Sequence, residues 1–310
     1  DGGSTLVWKP RPYPAIIRGH HHGAQNRQIE PTLASTTGKV SRMKDLKHYG
    51  EWALITGASA GIGKAFADAI AARGVNCVLT ARREELLQEL AGQLHEKHGI
   101  DCRCVKEDLS DPEGAYRLAE AVEDLEIGLL INNAGFGYAS HFESADPQRI
   151  ADMINLNCLS PALLTRLLAP KMLERGKGGI VMVASVLAVV PSPYQSVYGA
   201  TKAFDLALAE GLFGEYEKQG IDVIALCPST TRTEFFVADG MSESRANKIM
   251  ARADRPEDVA PLALKYLGRK PRTGPWSYVG PAILARLLPR KWGARIVRKA
   301  MEPYLEKDSA

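Results

Sequence analysis

The sequence predicts an α/β fold with a single doubly wound parallel sheet and helices on both of its faces. From Glu51 onward, short apolar runs alternate with helical stretches, an order that is typical of parallel β-α-β units. The runs lie at residues 52–55, 75–80, 102–106, 127–131, 180–184 and 223–227, and a seventh strand is expected at about 276–279. With 310 residues, of which 45% are hydrophobic, the chain can bury the core of one large domain.

The flanking segments differ from this central pattern. Residues 1–45 contain four prolines and the run His20-His21-His22 without periodicity, so a disordered leader or extension is expected there. Residues 46–281 then form the α/β domain, including a mobile lid at about 230–255, and residues 282–310 form a C-terminal helical tail. No apolar stretch is long enough to predict a membrane-spanning helix.

Composition and charge narrow the function classes. The net charge of +3 is close to balance, so no nucleic-acid partner is predicted. The five cysteines are odd in number and fall mostly in predicted strands, which favours free thiols in a reducing compartment and a cytoplasmic protein. The Cys102-x-Cys104 pair lacks the spacing and partners of a zinc site, so no metal is predicted.

A glycine-rich turn follows the first predicted strand and opens a helix. It reads Thr56-Gly57-Ala58-Ser59-Ala60-Gly61-Ile62-Gly63, which departs from the common G-x-G-x-x-G spacing. Such a turn brings backbone amides close to a pyrophosphate, and the helix N-terminus adds partial positive charge. The turn predicts a dinucleotide site, with an ordinary loop as the alternative.

The end of the second predicted strand indicates which dinucleotide. Its sequence, Thr80-Ala81-Arg82-Arg83, offers two guanidinium groups and no acidic residue before Glu84. Since an acid there binds a ribose hydroxyl and an arginine accepts a 2′-phosphate, NADP(H) is predicted and NAD(H) is the second choice. The alternative for Arg83 is that it only starts the next helix on the solvent side.

Tyr198 and Lys202 are four residues apart, so both side chains lie on one face of a predicted helix. An ammonium group beside a phenol stabilises the phenolate and lowers the tyrosine pKa from about 10, which makes the phenol a usable proton donor. The alternative is an aromatic anchor beside a solvated charge. The other motifs of the chain favour the chemical interpretation.

Taken together, the motifs resemble the classical short-chain dehydrogenase/reductase family. The T-G-x-x-x-G-x-G turn, Asn132-Asn133-Ala134-Gly135, Ser185, Tyr198 and Lys202 follow in that family's order within about residues 51–280. The stretch 53–59 is similar to the branch that contains hydroxysteroid and long-chain 3-oxoacyl reductases. The resemblance implies a Rossmann-like fold and an oxidoreductase acting on CH–OH or C=O groups.

The resemblance also implies catalytic roles. Tyr198 would donate the proton, Ser185 would hydrogen-bond the carbonyl oxygen, and Lys202 would bind the nicotinamide ribose and lower the tyrosine pKa. Asn157 would hold a water that links Lys202 to solvent, with Asn155 as the nearby alternative.

Cofactor contacts are carried over in the same way. They are Thr56, Gly57, Ser59, Ala60, Gly61, Ile62, Gly63, Arg82, Arg83, Asp108, Leu109, Asn133, Ala134, Gly135, Tyr198, Lys202, Pro228, Thr231 and Thr233. Ser229 replaces the glycine that commonly follows Pro228 in the family, which leaves the local loop conformation open because a side chain restricts the backbone.

Substrate candidates are mostly apolar and include no carboxylate clamp. They are Ser185, Leu187, Tyr194, Tyr198 and Phe235, a set that favours a hydrophobic ketone or secondary alcohol. The basic amphipathic segment 283–305 could contact a membrane surface, cover the substrate end or meet another subunit of a homo-oligomer. A non-catalytic NADP(H)-binding regulatory protein is the alternative function.

Overall fold

The computed structural model describes residues 45–233, 251, 253–302 and 305. Seven parallel strands form one sheet in the order β3-β2-β1-β4-β5-β6-β7. The strands are β1 Trp52–Thr56, β2 Asn76–Ala81, β3 Cys102–Lys106, β4 Ile127–Asn132, β5 Gly178–Val183, β6 Ile221–Leu226 and β7 Arg272–Thr273. The helices are α1 Gly61–Ala71, α2 Glu84–His98, α3 Gly114–Glu120, α4 Pro147–Ile154, α5 Ser160–Arg175, α6 Ser196–Tyr216, α7 Pro256–Tyr266, α8 Trp276–Leu287 and α9 Arg290–Met301.

Two apolar cores cover the two faces of the sheet. Along β1, Ala53 and Ile55 pack into one core, whereas Leu54 packs into the other, as the two-residue period of a strand requires. Helices α1, α2 and α7 cover the first core, and α3, α5 and α6 cover the second. Both faces are therefore buried, which explains the uninterrupted apolar runs and confirms the predicted fold class.

The seventh strand is displaced from its predicted position, and the expectation for residues 276–279 was wrong. The strand β7 is Arg272–Thr273, paired with Ala225 and Leu226 of β6, while Trp276 begins helix α8. Pro275 has no amide hydrogen to continue a ladder, and its fixed φ suits the residue before a helix. The aromatic residues that favour a strand belong to helix α8 instead.

The strand order reverses beside β1, where β2 and β3 lie on one side and β4 on the other. A crevice opens beyond the carboxyl ends of the strands at such a switch. Ile55 pairs with Ile131, so the turns after β1 and β4 emerge side by side. The topology thus brings distant sequence motifs to one edge.

Parts of the predicted flanking segments lie outside the described residues. These are residues 1–44, residues 234–250 and 252 of the expected lid, including Phe235, and residues 303–304 and 306–310 of the C-terminal tail. Among the residues that are described, no helix has the length and apolar character needed to cross a bilayer.

Candidate active site

The glycine turn forms one wall of the crevice. Gly57 and Gly61 have φ values of +64° and +56°, a left-handed conformation that favours glycine. A Cβ at Gly63 would lie 2.2 Å from the carbonyl oxygen of Gly57, so a side chain there is excluded. Helix α1 begins at Gly61 after Ala60, whose side chain caps no amide. Uncapped amides at a helix N-terminus fit a pyrophosphate.

Asn133 and Thr56 fasten this turn to the end of β4. Asn133 Nδ2 donates to the carbonyl oxygens of Thr56 and Gly57 at 2.8 and 3.2 Å. The backbone amides of Asn133 and Ala134 both donate to Thr56 Oγ1 at 2.9 Å. These four bonds hold the floor of the crevice, so Asn133 and Thr56 shape the cofactor site by bracing it.

The two arginines predicted to choose the cofactor lie at the crevice beside the glycine turn. Arg83 precedes α2, as the alternative interpretation held, but its Nη2 also donates to Ser59 Oγ at 3.2 Å. Arg82 is exposed. Two guanidinium groups therefore flank the turn, an arrangement that fits a phosphate ester.

Asp108 and Leu109, two of the predicted cofactor contacts, line the crevice after β3. Asp108 Oδ1 accepts from the amide and the hydroxyl of Ser110 at 3.0 and 2.6 Å, which fixes the carboxylate in a tight turn. Leu109 is buried. A fixed carboxylate and an apolar side chain therefore lie next to each other at two of the predicted cofactor contacts.

Ser185, Tyr198 and Lys202 line the same crevice, which encloses about 960 Å³. Ser185 follows β5, and its Oγ accepts from the amide of Leu187 at 3.2 Å. Tyr198 stands in the first turn of α6, and its ring packs against Gly137, where a Cβ would lie 2.5 Å from Cδ2. The structure therefore brings the three predicted catalytic side chains to one wall.

Lys202 is buried and has two acceptors beneath the crevice. Its Nζ donates to the carbonyl oxygen of Val183 at 2.9 Å and to Asp205 Oδ2 at 3.0 Å. Burial alone would lower the pKa of Lys202, but the Asp205 carboxylate and Tyr198 outweigh it and raise that pKa. Burial also raises the pKa of the Asp205 carboxyl.

Sequence reasoning missed Asp205. An acid three residues after the lysine, on the same helix face, was the available signal. Its carboxylate balances the buried cation and fixes the position of the ammonium group.

Asn157 is fully buried in a π-helical turn, Asn155–Leu159, between α4 and α5. Its Nδ2 donates to the carbonyl oxygen of Phe136 at 2.8 Å and to Thr201 Oγ1 at 3.0 Å, and its Oδ1 accepts from the Phe136 amide at 3.1 Å. A Cβ at Gly135 would lie 3.0 Å from Asn157 Oδ1 and 3.2 Å from Lys202 Nζ. Asn157 thus joins the loop after β4 to α6 next to Lys202.

The loop after β6 also reaches the crevice, where Pro228, Thr231 and Thr233 line it. Ser229 Oγ donates to Asp254 Oδ2 at 2.7 Å, and Ser277 Oγ donates to the same oxygen at 2.6 Å. Among the described non-glycine residues, only Tyr194 has a positive φ, so Ser229 carries no left-handed strain. Serine is accommodated at this position because its hydroxyl anchors the loop.

At the substrate end, Leu187 lines the crevice together with Ala300 and Met301 of α9, which agrees with the expectation that the segment 283–305 could cover the substrate end. Tyr194 is not among the lining residues. Its φ is +67°, its hydroxyl donates to Glu302 Oε1 at 3.3 Å, and its ring packs edge-on against His141. Tyr194 therefore fastens the end of α9 to the rim of the crevice.

Comparisons with known proteins agree with this arrangement. A family model described as short chain dehydrogenase matches residues 51–243. Very-long-chain 3-oxoacyl-CoA reductase of Anas platyrhynchos is 35% identical over 239 residues, which cover 74% of each chain. Inactive hydroxysteroid dehydrogenase-like protein 1 of Homo sapiens is 32% identical over 270 residues, which cover 84% of this chain and 80% of that protein.

Solved structures are similar across most of the chain. A 7β-hydroxysteroid dehydrogenase superposes with a TM-score of 0.75 at 28% identity, covering 82% of this chain and 99% of its own. A short-chain dehydrogenase from Sphingobium yanoikuyae in complex with NADPH has a TM-score of 0.68 at 32% identity, covering 84% and 98%. The chain belongs to the short-chain dehydrogenase family, near its hydroxysteroid and 3-oxoacyl reductase members.

Proposed function

We propose that this protein is an NADP(H)-dependent oxidoreductase that interconverts a ketone and a secondary alcohol on a hydrophobic substrate. The observation that carries the proposal is the meeting of Ser185, Tyr198 and Lys202 in the crevice that also holds the glycine turn. The five cysteines are free thiols, which supports a reducing, cytoplasmic setting. NADPH would supply the hydride.

Proton transfer falls to Tyr198. When hydride reaches a carbonyl carbon, negative charge grows on the oxygen, and a positioned donor lowers the barrier by supplying a proton. The Lys202 cation stabilises the phenolate that remains after transfer. Asp205 holds that cation through a 3.0 Å bond, so the ammonium group keeps its position through the reaction.

Ser185 is oriented to assist at the same oxygen. Its Oγ already accepts a hydrogen bond from the Leu187 amide, and a hydroxyl has one hydrogen to donate. That hydrogen is left for the substrate oxygen. The serine would therefore steady both the carbonyl and the developing alkoxide, as a preorganised donor does.

The preference for NADP(H) is supported by Arg82 and Arg83. Both line the crevice beside the glycine turn, and no acidic residue stands before Glu84 to bind a free ribose hydroxyl. The NADPH complex of a relative with 32% identity adds support.

The apolar character of the substrate is supported by the lining at the far end of the crevice. Phe136, Leu187, Ala300 and Met301 face it there. Such a lining favours a substrate with a large apolar body, and the 3-oxoacyl and hydroxysteroid names of the relatives are compatible with that class. A homo-oligomer is also proposed, supported by the exposed apolar side chains of Ile154, Leu159 and Phe204 around α4–α6.

A second candidate function is a non-catalytic NADP(H)-binding protein. It is favoured by one observation, the 32% identity to hydroxysteroid dehydrogenase-like protein 1, which carries the word inactive in its name. The Ser185, Tyr198 and Lys202 set favours turnover in this chain instead.

Assaying the wild-type protein on a ketone panel separates the two candidates, and replacing Tyr198 with phenylalanine tests whether Tyr198 is the acid. Wild-type protein should oxidise NADPH with at least one member of a panel of apolar ketones, followed by nicotinamide absorbance. The Tyr198→Phe variant should lose about 100- to 10,000-fold in kcat, because it removes the general acid, while NADPH affinity stays nearly unchanged. Retained turnover in the variant would exclude Tyr198 as the acid. NADPH binding without turnover on any panel member would favour the non-catalytic candidate.

A further inference from the structure

Helix α8 displays an apolar strip to solvent. Trp276 is 89% exposed and Leu287 is 75% exposed, and Ile283 and Leu284 between them are also exposed. Residues spaced by seven and eleven positions fall on one face of a helix. The opposite face buries Tyr278 in the core. The helix therefore already has a buried face, and the strip is a second apolar face turned outward.

Helix α9 also exposes apolar side chains, and basic side chains lie beside them. Trp292 and Ile296 are exposed and lie one turn apart. Arg295 and Lys299 are exposed next to them, and the Arg295 guanidinium lies 5.7 Å from the Trp292 ring centroid. An apolar ridge edged by long basic side chains is the pattern of a helix that lies in a bilayer interface.

The charge of this region is one-sided. Between Trp276 and Met301 there are no acidic residues and six basic ones, which are Arg286, Arg290, Lys291, Arg295, Arg298 and Lys299. Because the whole chain carries a net charge of +3, the remaining residues sum to −3. The cations are thus concentrated on the two helices that carry the exposed apolar side chains, which calls for a partner that is both apolar and anionic.

We propose that α8 and α9, here called the C-terminal helix pair, bind the surface of an anionic phospholipid bilayer. Tryptophans prefer the boundary between acyl chains and headgroups, and basic side chains are attracted to anionic lipid. A second copy of this chain is a poorer occupant, because a two-fold contact would place the same cations against each other.

The position of α9 gives this surface a use. Its last turn supplies Ala300 and Met301 to the lining of the crevice, and Glu302 bonds the rim residue Tyr194. The lipid-binding surface and the substrate end of the crevice therefore share one helix. This consequence rests on the proposed function: an apolar ketone dissolved in the bilayer could enter the crevice beside α9 without crossing water.

Vesicle binding tests the proposal without any need for turnover. The full chain is sedimented with vesicles of phosphatidylcholine alone and of phosphatidylcholine mixed with phosphatidylglycerol, while tryptophan emission is recorded. Binding is expected to the mixed vesicles, with a blue shift of the emission, and to weaken as salt rises. Absence of binding to the mixed vesicles would overturn the proposal.

Two variants and two matched controls assign the surface. Trp276→Ser/Leu287→Ser should lower partitioning of the protein into the mixed vesicles about tenfold or more, because it removes exposed apolar area. Lys291→Glu/Lys299→Glu should lower it by a similar factor, because it replaces charges that attract anionic lipid with charges that are repelled. Phe142→Ser and Lys218→Glu change exposed apolar and basic side chains elsewhere, and these variants should bind vesicles as the wild type does. Equal losses in the controls would overturn the assignment to the C-terminal helix pair.

Other occupants give distinct results. If Trp276→Ser/Leu287→Ser dissociates an oligomer in ultracentrifugation and wild type binds no vesicles, a second copy covers the strip. If vesicles bind only after residues 1–42 are removed, those residues cover it. If poly-glutamate binds as tightly as the mixed vesicles, regardless of the apolar substitutions, the partner is an acidic protein. Each of these three results would overturn the lipid proposal.

Discussion

Replacing Asp205 with leucine is expected to leave the Lys202 ammonium buried without its counter-ion. The two side chains are only 6% and 4% exposed, and 3.0 Å separates Lys202 Nζ from Asp205 Oδ2. Removing one partner of such a pair typically costs about 3–5 kcal/mol in the free energy of unfolding, because desolvation of the remaining charge goes uncompensated. Asp205→Leu should lose that amount.

The double variant Lys202→Met/Asp205→Leu should recover most of the loss. It buries no charge, and replacing a buried ion pair with apolar side chains of similar volume is often neutral or stabilising. Urea unfolding of the cofactor-free protein at neutral pH, followed by circular dichroism, gives the free energies. A double-mutant cycle then yields the coupling energy between the two side chains.

An exposed pair with the same spacing provides the control. Arg255 and Asp258 are also three residues apart on a helix, with Arg255 Nε 2.8 Å from Asp258 Oδ2, but their side chains are 63% and 60% exposed. Asp258→Leu should therefore change stability much less than Asp205→Leu. The reasoning is refuted if Asp205→Leu costs no more than the exposed control, or if the double variant is as unstable as the sum of the single losses.

The same pair predicts a pH dependence. The folded pKa of Lys202 lies above its unfolded value, so the folded state binds the proton more tightly. The stabilisation that the protonated lysine gives the folded state is fully present below the pKa of the unfolded lysine. It is lost as the pH rises through the higher pKa of Lys202 in the folded state. In Lys202→Met/Asp205→Leu, this alkaline loss should be reduced.

Three further predictions concern the cofactor, the tyrosine and the N-terminal residues. Arg82→Ala should weaken NADPH binding about 10- to 100-fold by removing a charge-assisted hydrogen bond, while NADH binding should change little. Equal losses of affinity in titrations with NADPH and NADH would contradict a contact between Arg82 and the 2′-phosphate. Gly137→Ala should lower kcat about 100-fold, because the new Cβ would displace the Tyr198 ring. Gly211→Ala is the control: Gly211 lies on the same helix as Tyr198, its Cβ would meet open space, and kcat should not change. Equal kcat values for the two variants would contradict the packing argument. Deleting residues 1–42 should leave kcat and KM unchanged, and a large loss in either would assign those residues a function.

The fold and the assembly of the site followed from local patterns. Buried parallel strands appear as apolar runs, and the carboxyl ends of such strands share one edge, so the turns holding Gly57 and Asn133 and the strand-end Ser185 had to converge. The four-residue step from Tyr198 to Lys202 likewise fixes a helix face. These relations need only the period of the backbone and the strand order.

Other features depend on contacts that a linear pattern does not encode. The run that begins at Trp276 contains residues that favour a strand, but it follows a proline and forms a helix that buries Tyr278 on one side. Tyr194 is an aromatic residue of the kind that often lines an apolar pocket, but its backbone is left-handed and its side chain lies at the rim of the crevice. Met301 enters the crevice only because α9 folds back across the rim, a long-range placement.

The hydroxyls of Ser229 and Ser277 share one carboxylate oxygen of Asp254, which ties the first turn of α8 to the loop that carries Pro228 into the crevice. These two hydrogen bonds therefore link the position of α8 to the position of the loop that follows β6. A change in the position of α8 should therefore shift that loop and alter the lining of the crevice beside Pro228.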